Sequence, residues 1–194
     1  MMLVNPAAFV TRLFLGAPAA VAPSQPRARR TGLFPPALAA ILLLVAAPAG
    51  RALTLDELRN IPNLTPELFM GYFRDFQFKQ GDKPQAHAAF LEGRCGDCED
   101  FATLAADVLR EKNYTPHLIA VFMDGQTHVV CYIDEVKAYL DFNRRAKSPA
   151  LQPSDGSLED IAAGVAAYFR VPWRSASEFI YVSGERRFGR IAFH

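Results

Sequence analysis

The sequence is short of cysteine and lacks the ligand pattern of a structural zinc site. Its 194 residues include three cysteines and four histidines, and no second Cys pair or His pair accompanies Cys95 and Cys98. A tetrahedral zinc site is therefore not completed. An odd number of cysteines leaves at least one free thiol. In an oxidising compartment such a thiol is a liability unless it is buried or used.

The first 52 residues contain no acidic side chain and no lysine, although they contain five arginines. Three of these arginines, at positions 27, 29 and 30, precede an apolar run over 33–49, and small residues follow it. A basic stretch, an apolar stretch and small residues, in that order, form the pattern of a secretory signal peptide. We predict a leader over 1–52, cleaved after Ala49 or Ala52, and a periplasmic or secreted mature protein.

The apolar run is too short to be a good membrane span. It has 17 residues and includes Pro35, Pro36 and Pro48, whereas a transmembrane helix needs about 20 apolar residues. No cysteine follows the run closely, which argues against a lipoprotein anchor. An uncleaved leader that anchors the protein is the alternative, and it is the one membrane contact that we expect.

Residues 53–194 lack the basic excess of a nucleic-acid-binding protein. They hold 16 basic and 20 acidic side chains, which gives a net charge of −4, whereas the whole chain has a net charge of +1. This balance argues against a nucleic acid as partner. The 142 residues are an ordinary length for one domain and are enough to bury a core. We therefore predict a single domain over 53–194.

Helix signals come first in this domain. Thr54 and Thr65 are predicted N-caps of two short helices. The second helix carries an aromatic face at helical spacing, which predicts a core contact; its residues are Leu68, Phe69, Tyr72, Phe73 and Phe76. A short helix is expected over about 85–91, then a loop over 92–96. The next helix is predicted over about 98–112, with an apolar stripe facing the core.

Strand signals follow the helices. Apolar runs predict strands over 117–123, 127–133 and 137–142, with a hairpin turn at Asp124-Gly125 between the first two. A loop is expected over 148–156, a helix capped by Ser157 over about 158–169, and a last hairpin of strands 179–182 and 187–193 around Gly184. Helices followed by strands are typical of an α+β fold, here with N-terminal helices packed on a mostly antiparallel sheet.

The segment Gly96–Ala102 reads Gly-Asp-Cys-Glu-Asp-Phe-Ala and is the most informative part of the chain. Asp97 is the predicted N-cap of the helix over 98–112, so that Cys98 lies at its start. Free N–H groups and the helix dipole favour thiolate there and can hold a developing oxyanion. Cys98 therefore suits a nucleophile. The carboxylates of Asp97, Glu99 and Asp100 oppose thiolate, so that an imidazolium partner or a cation must offset them.

His128 and Asp141 are predicted on neighbouring strands. Alternation places His128 on one face of its strand and Cys131 on the other, which predicts that Cys131 is a buried structural cysteine. A four-residue turn would pair Ile133 with Ala138 and place Asp141 on the His128 face, whereas an odd turn would not. A Cys on a helix start, a His on a strand and an Asp on the next strand are the parts of a thiol nucleophile with its base and orienting group.

Cys95 and Cys98 also have the spacing of a redox pair. A thioredoxin-like motif has a strand directly before it, and the predicted loop over 92–96 does not supply one. We therefore favour a nucleophilic Cys98 over a redox pair, which stays an alternative.

These motifs resemble the transglutaminase-like superfamily of papain-like fold, and the bacterial transglutaminase-like cysteine proteinases in particular. Members have a Gly-Asp-Cys-Glu-Asp-aromatic-Ala run that opens a helix, a His that opens a strand, and a Leu-Asp-Asn. This sequence matches the first motif at Gly96–Ala102, the second at His128, and the third at Leu140–Asn143 with Phe142 inserted before the Asn. The likeness covers about residues 90–143.

The resemblance implies that Cys98 is the nucleophile, His128 the base and acid, and Asp141 the orienting group, in reactions at amide bonds that pass through a thioester. Some members bind calcium through acidic residues beside the Cys, and Asp97 and Glu99 stand at those positions. The alternative is that both residues only cap the helix and favour its dipole. No cofactor is otherwise expected to be required.

The expected function is an exported cysteine hydrolase that cleaves amide bonds in protein or peptide. Hydrolysis is favoured because water is abundant and nothing in the sequence marks a site for an amine acceptor. Transglutaminase-type acyl transfer and a non-catalytic binding module on the same scaffold are the alternatives. The oxyanion hole needs a second donor besides the Cys98 N–H, and Gln85 is a candidate that the sequence alone does not support.

Overall fold

A computed structural model describes residues 52–147 and 149–194 of the chain. The predicted signal peptide, with its apolar run over 33–49, lies outside the described residues. Within the described ranges, no helix is both long enough and apolar enough to cross a membrane.

In the described part of the chain, helices precede most of the sheet. The helices are α1 (Leu55–Arg59), α2 (Pro66–Gly71), α3 (His87–Gly93), α4 (Cys98–Glu111) and α5 (Leu158–Phe169). The strands are β1 (Gln77–Phe78), β2 (Cys95–Gly96), β3 (Pro116–Met123), β4 (Gln126–Ile133), β5 (Ala138–Leu140), β6 (Leu151–Pro153), β7 (Trp173–Val182) and β8 (Glu185–Phe193).

The main sheet has six strands in the order β6-β5-β4-β3-β7-β8. Every neighbouring pair in it is antiparallel. The short strands β1 and β2 form a separate parallel pair. The predicted α+β class, with a mostly antiparallel sheet after the first helices, is confirmed.

Local capping sets where the helices begin. The Thr54 hydroxyl accepts a hydrogen bond from the Glu57 N–H, and the Glu57 carboxylate accepts one from the Thr54 N–H. Together they form a capping box. The Ser157 hydroxyl accepts from the Asp160 N–H at 3.2 Å. Each side chain satisfies an N–H group that has no acceptor within its own helix. The predicted starts of α1 and α5 are therefore confirmed.

The sheet carries a hydrophobic core on each face, because alternate residues of β3 and β4 point to opposite sides. The larger core lies between the sheet and helices α1–α4, and it includes Phe69, Phe73, Phe90, Phe101, Val129, Cys131 and Leu140. The smaller core lies between the sheet and α5, and it includes Val121, Val130, Tyr132, Tyr139, Ile161 and Val165. Helix α4 is thereby held against one face of the strands that carry the other candidate site residues.

The predicted aromatic face of α2 is correct only in part. Phe69, Phe73 and Phe76 are buried, whereas Leu68 is 44% exposed and Tyr72 is 37% exposed. The helix ends at Gly71, and the turns after it place Phe73 and Phe76 in a ring cluster with Phe90 and Phe101. These two rings are therefore buried by contacts within the cluster, and the helix is shorter than the spacing predicted.

In the main sheet, strands β6 and β7 depart from the predicted ranges. Strand β6 occupies part of the predicted loop over 148–156; it is an edge strand that ends at Pro153, a position where proline removes no ladder hydrogen bond that the sheet needs. Strand β7 begins at Trp173, six residues before the predicted start at Phe179. Its first half includes the polar residues Arg174, Ser175 and Ser177, so the sequence does not show the alternation of apolar and polar residues that predicts a strand.

Gly96 stands where the ring cluster meets the start of α4. A Cβ atom at this position would overlap the Asp100 carboxylate and would lie 2.6 Å from Cδ2 of the Phe90 ring. Real Cβ atoms do not approach neighbours so closely, so either the ring or the carboxylate would have to move. The glycine therefore permits the close approach of β2 to α3 and α4.

We expect Gly96→Ala to lower the free energy of unfolding by about 3 kcal/mol, because the added methyl group overpacks a buried contact. Chemical denaturation followed by circular dichroism measures this change. Gly71→Ala is the matched control, since nothing lies within 4 Å of a Cβ at Gly71, and it should be neutral or stabilising. Equal effects of the two substitutions would contradict the close-packing explanation.

Candidate active site

Reciprocal hydrogen bonds at the start of α4 fix the position of Cys98. The Asp97 side chain accepts from the N–H groups of Glu99 at 2.9 Å and Asp100 at 3.2 Å, and the Asp100 carboxylate accepts from the Asp97 N–H at 3.0 Å. The predicted N-cap is therefore confirmed, as a full capping box. Cys98 is the first residue of the helix and is half-buried.

The register of β4 and β5 brings Asp141 to His128. Ile133 pairs with Ala138, as predicted from a four-residue turn. Asp141 follows β5 directly, and its Oδ1 atom lies 2.8 Å from Nε2 of His128. The Asn143 N–H donates to the same oxygen at 2.9 Å. Both side chains are buried, with Asp141 0% and His128 3% exposed.

Cys98, His128 and Asp141 meet in one place although they come from three elements. The Cys98 thiol lies close enough to His128 to contribute to the raised pKa of the imidazole, and both residues line the same cleft. Because Nε2 faces Asp141, Nδ1 is the ring nitrogen left for the thiol. The Phe169 ring packs against the imidazole with 4.9 Å between ring centroids and limits its rotation. The structure thus brings together the three residues predicted from the sequence.

The electrostatics of this cluster favour a charged imidazole. Burial lowers the pKa of His128, but the charge of Asp141, the hydrogen bond to it and the contact with Cys98 raise it more, to about 10. At neutral pH the imidazole is therefore an imidazolium that can stabilise a neighbouring thiolate.

Cys98 and His128 line a cleft of about 870 Å³, and Asp141 is buried next to His128, to which it is hydrogen-bonded. The lining of the cleft includes Phe78, Gln80, Phe122, Asn143 and Phe169 in addition to Cys98 and His128. A second cavity of about 980 Å³ is lined by Gln85, His117 and Tyr181 among others, but it contains none of the three clustered residues. The chemistry therefore assigns the first cleft as the candidate site.

The other two cysteines have different surroundings. Cys131 is fully buried in the core on the α4 side, and burial raises the pKa of its thiol, so the predicted structural role is confirmed. Cys95 lies in β2, so a short strand does precede Cys98, contrary to the predicted loop. Its sulfur lies against Gly93, and the three cysteines, all in the described residues, are free.

The carboxylates beside Cys98 already have partners. Glu99 is 8% exposed and accepts hydrogen bonds from Arg186 and Tyr181. Asp97 accepts three N–H groups, two from α4 and one from Gly81 at 3.2 Å. Among the described residues, no group of three or more His, Cys, Asp or Glu side chains could hold a metal ion. Asp97 and Glu99 therefore do not fit the calcium site that the resemblance implies.

Gln85 does not fit the role of a second oxyanion donor. Its side-chain amide donates to the Asp100 carboxylate at 2.8 Å and to the Cys95 carbonyl at 3.2 Å. Both amide hydrogens are thus engaged. The side chain supports the start of α4 instead.

Sequence reasoning missed three residues near the site. Arg186 and Tyr181 reach Glu99 from the hairpin of β7 and β8, and Gln80 reaches the cleft because β1 pairs with β2. None of these contacts is local in sequence. The available signal in the sequence was the negative charge of Glu99, which, once buried, requires a cation from elsewhere in the chain.

Comparisons with known proteins give no independent assignment. No family model matches this chain, and no curated protein has a significantly similar sequence.

The raised pKa of His128 has a testable consequence for pH dependence. In the folded protein the imidazole should stay protonated up to about pH 10. The His128–Asp141 pair therefore stabilises the fold in full below about pH 6.5 and loses this contribution as the pH rises towards 10. In Asp141→Asn the pKa of His128 should fall, because burial then dominates.

Nitrogen-15 NMR of the imidazole groups measures this titration. His87 serves as an internal control, since it bonds to Asp107 and should titrate identically in the wild type and in Asp141→Asn. An unchanged His128 titration in the variant would show that Asp141 is not the group that raises its pKa.

Proposed function

We propose that this protein is an exported cysteine hydrolase of transglutaminase-like type that cleaves amide bonds in protein or peptide. The observation that carries the proposal is the meeting of Cys98 with the buried His128–Asp141 pair at an open cleft. A structural role for this pair would not require a thiol at a helix start beside it. Export rests on the predicted signal peptide over 1–52.

The fold supports the same proposal. Cys98 opens α4, which packs on the sheet, while His128 lies on β4 and Asp141 follows the neighbouring β5. A nucleophile helix packed against an antiparallel sheet that carries the base and its orienting group is the arrangement expected for a papain-like core. We therefore propose a papain-like core for residues 53–194.

In the first half of the proposed reaction, the Cys98 thiolate attacks the carbonyl carbon of an amide bond. The carbonyl oxygen becomes an oxyanion. His128, as imidazolium, donates its proton to the amine nitrogen, and the C–N bond breaks to release the amine and leave a thioester on Cys98. Asp141 holds the imidazole in the orientation that faces the thiol.

In the second half, His128 accepts a proton from a water molecule, which attacks the thioester carbonyl. Collapse of this second oxyanion breaks the C–S bond, releases the carboxylic acid and restores the thiolate–imidazolium pair. A primary amine in place of water would complete acyl transfer instead. We favour hydrolysis because abundant water competes with any amine acceptor.

The proposed oxyanion hole consists of two groups, the Cys98 N–H and the Gln80 side-chain amide. The Cys98 N–H is at the first position of α4, where it has no acceptor within the helix. Gln80 follows β1, and Phe78 pairs with Gly96 so that the next residues run beside the start of α4. The Gly81 N–H bonds to Asp97 and fixes this segment. Gln80 lines the cleft, and its amide bonds to no other side chain in the described ranges.

The proposed nucleophile can be tested by alkylation. Iodoacetamide should label Cys98 rapidly at about pH 6, where an ordinary thiol of pKa about 8.5 is protonated and unreactive. Cys98→Ala should abolish this fast phase, and His128→Ala should slow it, because the imidazolium partner is lost. Mass spectrometry of labelled peptides identifies the reacting residue.

Cys95→Ser is the matched control and should keep the fast phase, whereas a redox pair would require Cys95. An alkylation rate like that of a free thiol, unaffected by His128→Ala, would favour the binding-module alternative.

With a fluorescent casein substrate, products bearing a new carboxyl group indicate hydrolysis. Incorporation of an added primary amine would instead indicate acyl transfer.

Gln80→Ala should lower kcat for casein hydrolysis by about 10²-fold, as removal of one oxyanion donor typically does. The iodoacetamide rate should stay unchanged, because alkylation forms no oxyanion. Gln126→Ala is the matched control, since Gln126 lines the same cleft and should leave both rates nearly unchanged. A parallel loss of both rates in Gln80→Ala would indicate a disturbed helix start instead of a lost donor.

A further inference from the structure

The Glu99 carboxylate is a nearly buried negative charge next to the proposed nucleophile. It follows Cys98 directly in α4 and is 8% exposed. A carboxylate in the neighbouring residue, largely shielded from water, disfavours a thiolate at Cys98. An activated Cys98 therefore requires that the charge of Glu99 be compensated.

The compensating charge comes from β8. Nε of Arg186 donates to Oε1 of Glu99 at 2.6 Å, and its NH2 group donates to Oε2. This bidentate geometry is the one in which a guanidinium fits a carboxylate best. The Arg186 guanidinium also lies over the Phe179 ring, 5.5 Å from its centroid. The cation is thus held in place from two sides.

Tyr181 completes the cluster. It pairs with Arg186 in the β7–β8 register and donates its hydroxyl to Oε1 of Glu99. Burial and the Glu99 carboxylate raise the pKa of the Tyr181 phenol, so that it stays a donor. The hairpin of β7 and β8 therefore donates three hydrogen bonds to the Glu99 carboxylate. They offset most of the repulsion between this carboxylate and a thiolate at Cys98.

We propose that Arg186 is a positioning residue that neutralises Glu99, and that it takes the place of the calcium ion implied at Asp97 and Glu99. The proposal rests on the proposed function, because it concerns activation of the same thiol. A calcium ion takes six to eight oxygen ligands, whereas both carboxylates here are engaged by N–H and O–H donors. A guanidinium in the same site also repels a second cation. Cys98 is thus activated without a divalent metal.

The test is the alkylation rate of Cys98 in the full chain, measured with added calcium and with a calcium chelator. The wild-type rate should be the same in both. Arg186→Met should lower the rate about tenfold, which corresponds to about one unit of pKa shift from one uncompensated charge. Adding Glu99→Gln to Arg186→Met should restore the rate, because no charge then needs compensation.

Arg187→Met is the matched control, because it removes the same charge one residue along β8. Among the described residues, the Arg187 guanidinium forms an ion pair with Glu185 alone. Arg187→Met should leave the rate unchanged. Thermal unfolding of each variant verifies that it is folded. If Arg186→Met does not fold, Glu99→Gln alone tests the proposal: its rate should equal or exceed that of the wild type.

Three outcomes would overturn the inference: a wild-type rate that falls with the chelator, an unchanged rate in Arg186→Met, or a double variant that stays slow. The last would show that Arg186 acts by packing and not by charge. A wild-type rate like that of a free thiol would instead overturn the proposed function, so the two failures are distinguishable.

Discussion

The buried carboxylate of Asp100 is the group on which the geometry of the site depends. It is 3% exposed and accepts from the Asp97 N–H, the Gln85 N–H and the Gln85 amide, at 3.0, 2.6 and 2.8 Å. A buried carboxylate left without donors is costly, so these three bonds strongly favour one arrangement of the chain. They join the segment before α3 to the start of α4. The position of Cys98 is therefore set by a residue that takes no part in the proposed chemistry.

Two further buried carboxylates are each paired with a cation from a different part of the chain. Asp141 pairs with His128 of β4, and Glu99 pairs with Arg186 of β8. Such pairs add little net stability compared with apolar side chains of the same size, although breaking one is costly. Their presence is therefore better explained by what they do to the thiol. One pair keeps an imidazolium beside it, and the other keeps a negative charge from acting on it.

The features that the sequence predicted are those with a local cause. The N-cap at Asp97 follows from side-chain chemistry within one helical turn, and the pairing of Ile133 with Ala138 follows from the length of one turn. The meeting of Cys98, His128 and Asp141 could be anticipated because each residue has a fixed place in its element. The contact of Arg186 with Glu99 could not, because it spans 87 residues and leaves no periodic signal. The two-residue strands β1 and β2 are too short to show alternation.

Turn chemistry far from the thiol controls whether Arg186 can reach its partner. Ser183 and Gly184 both have positive φ, 53° and 80°, as a two-residue hairpin turn of the favoured type requires. This turn pairs Val182 with Glu185 and so places Tyr181 opposite Arg186. A turn longer by one residue would shift the register and move the Arg186 side chain to the other face of the sheet. The Glu99 charge next to the proposed nucleophile is therefore compensated because a distant turn has this length. The function proposed for Cys98 thus depends on the whole antiparallel sheet and not on the Gly96–Ala102 motif alone.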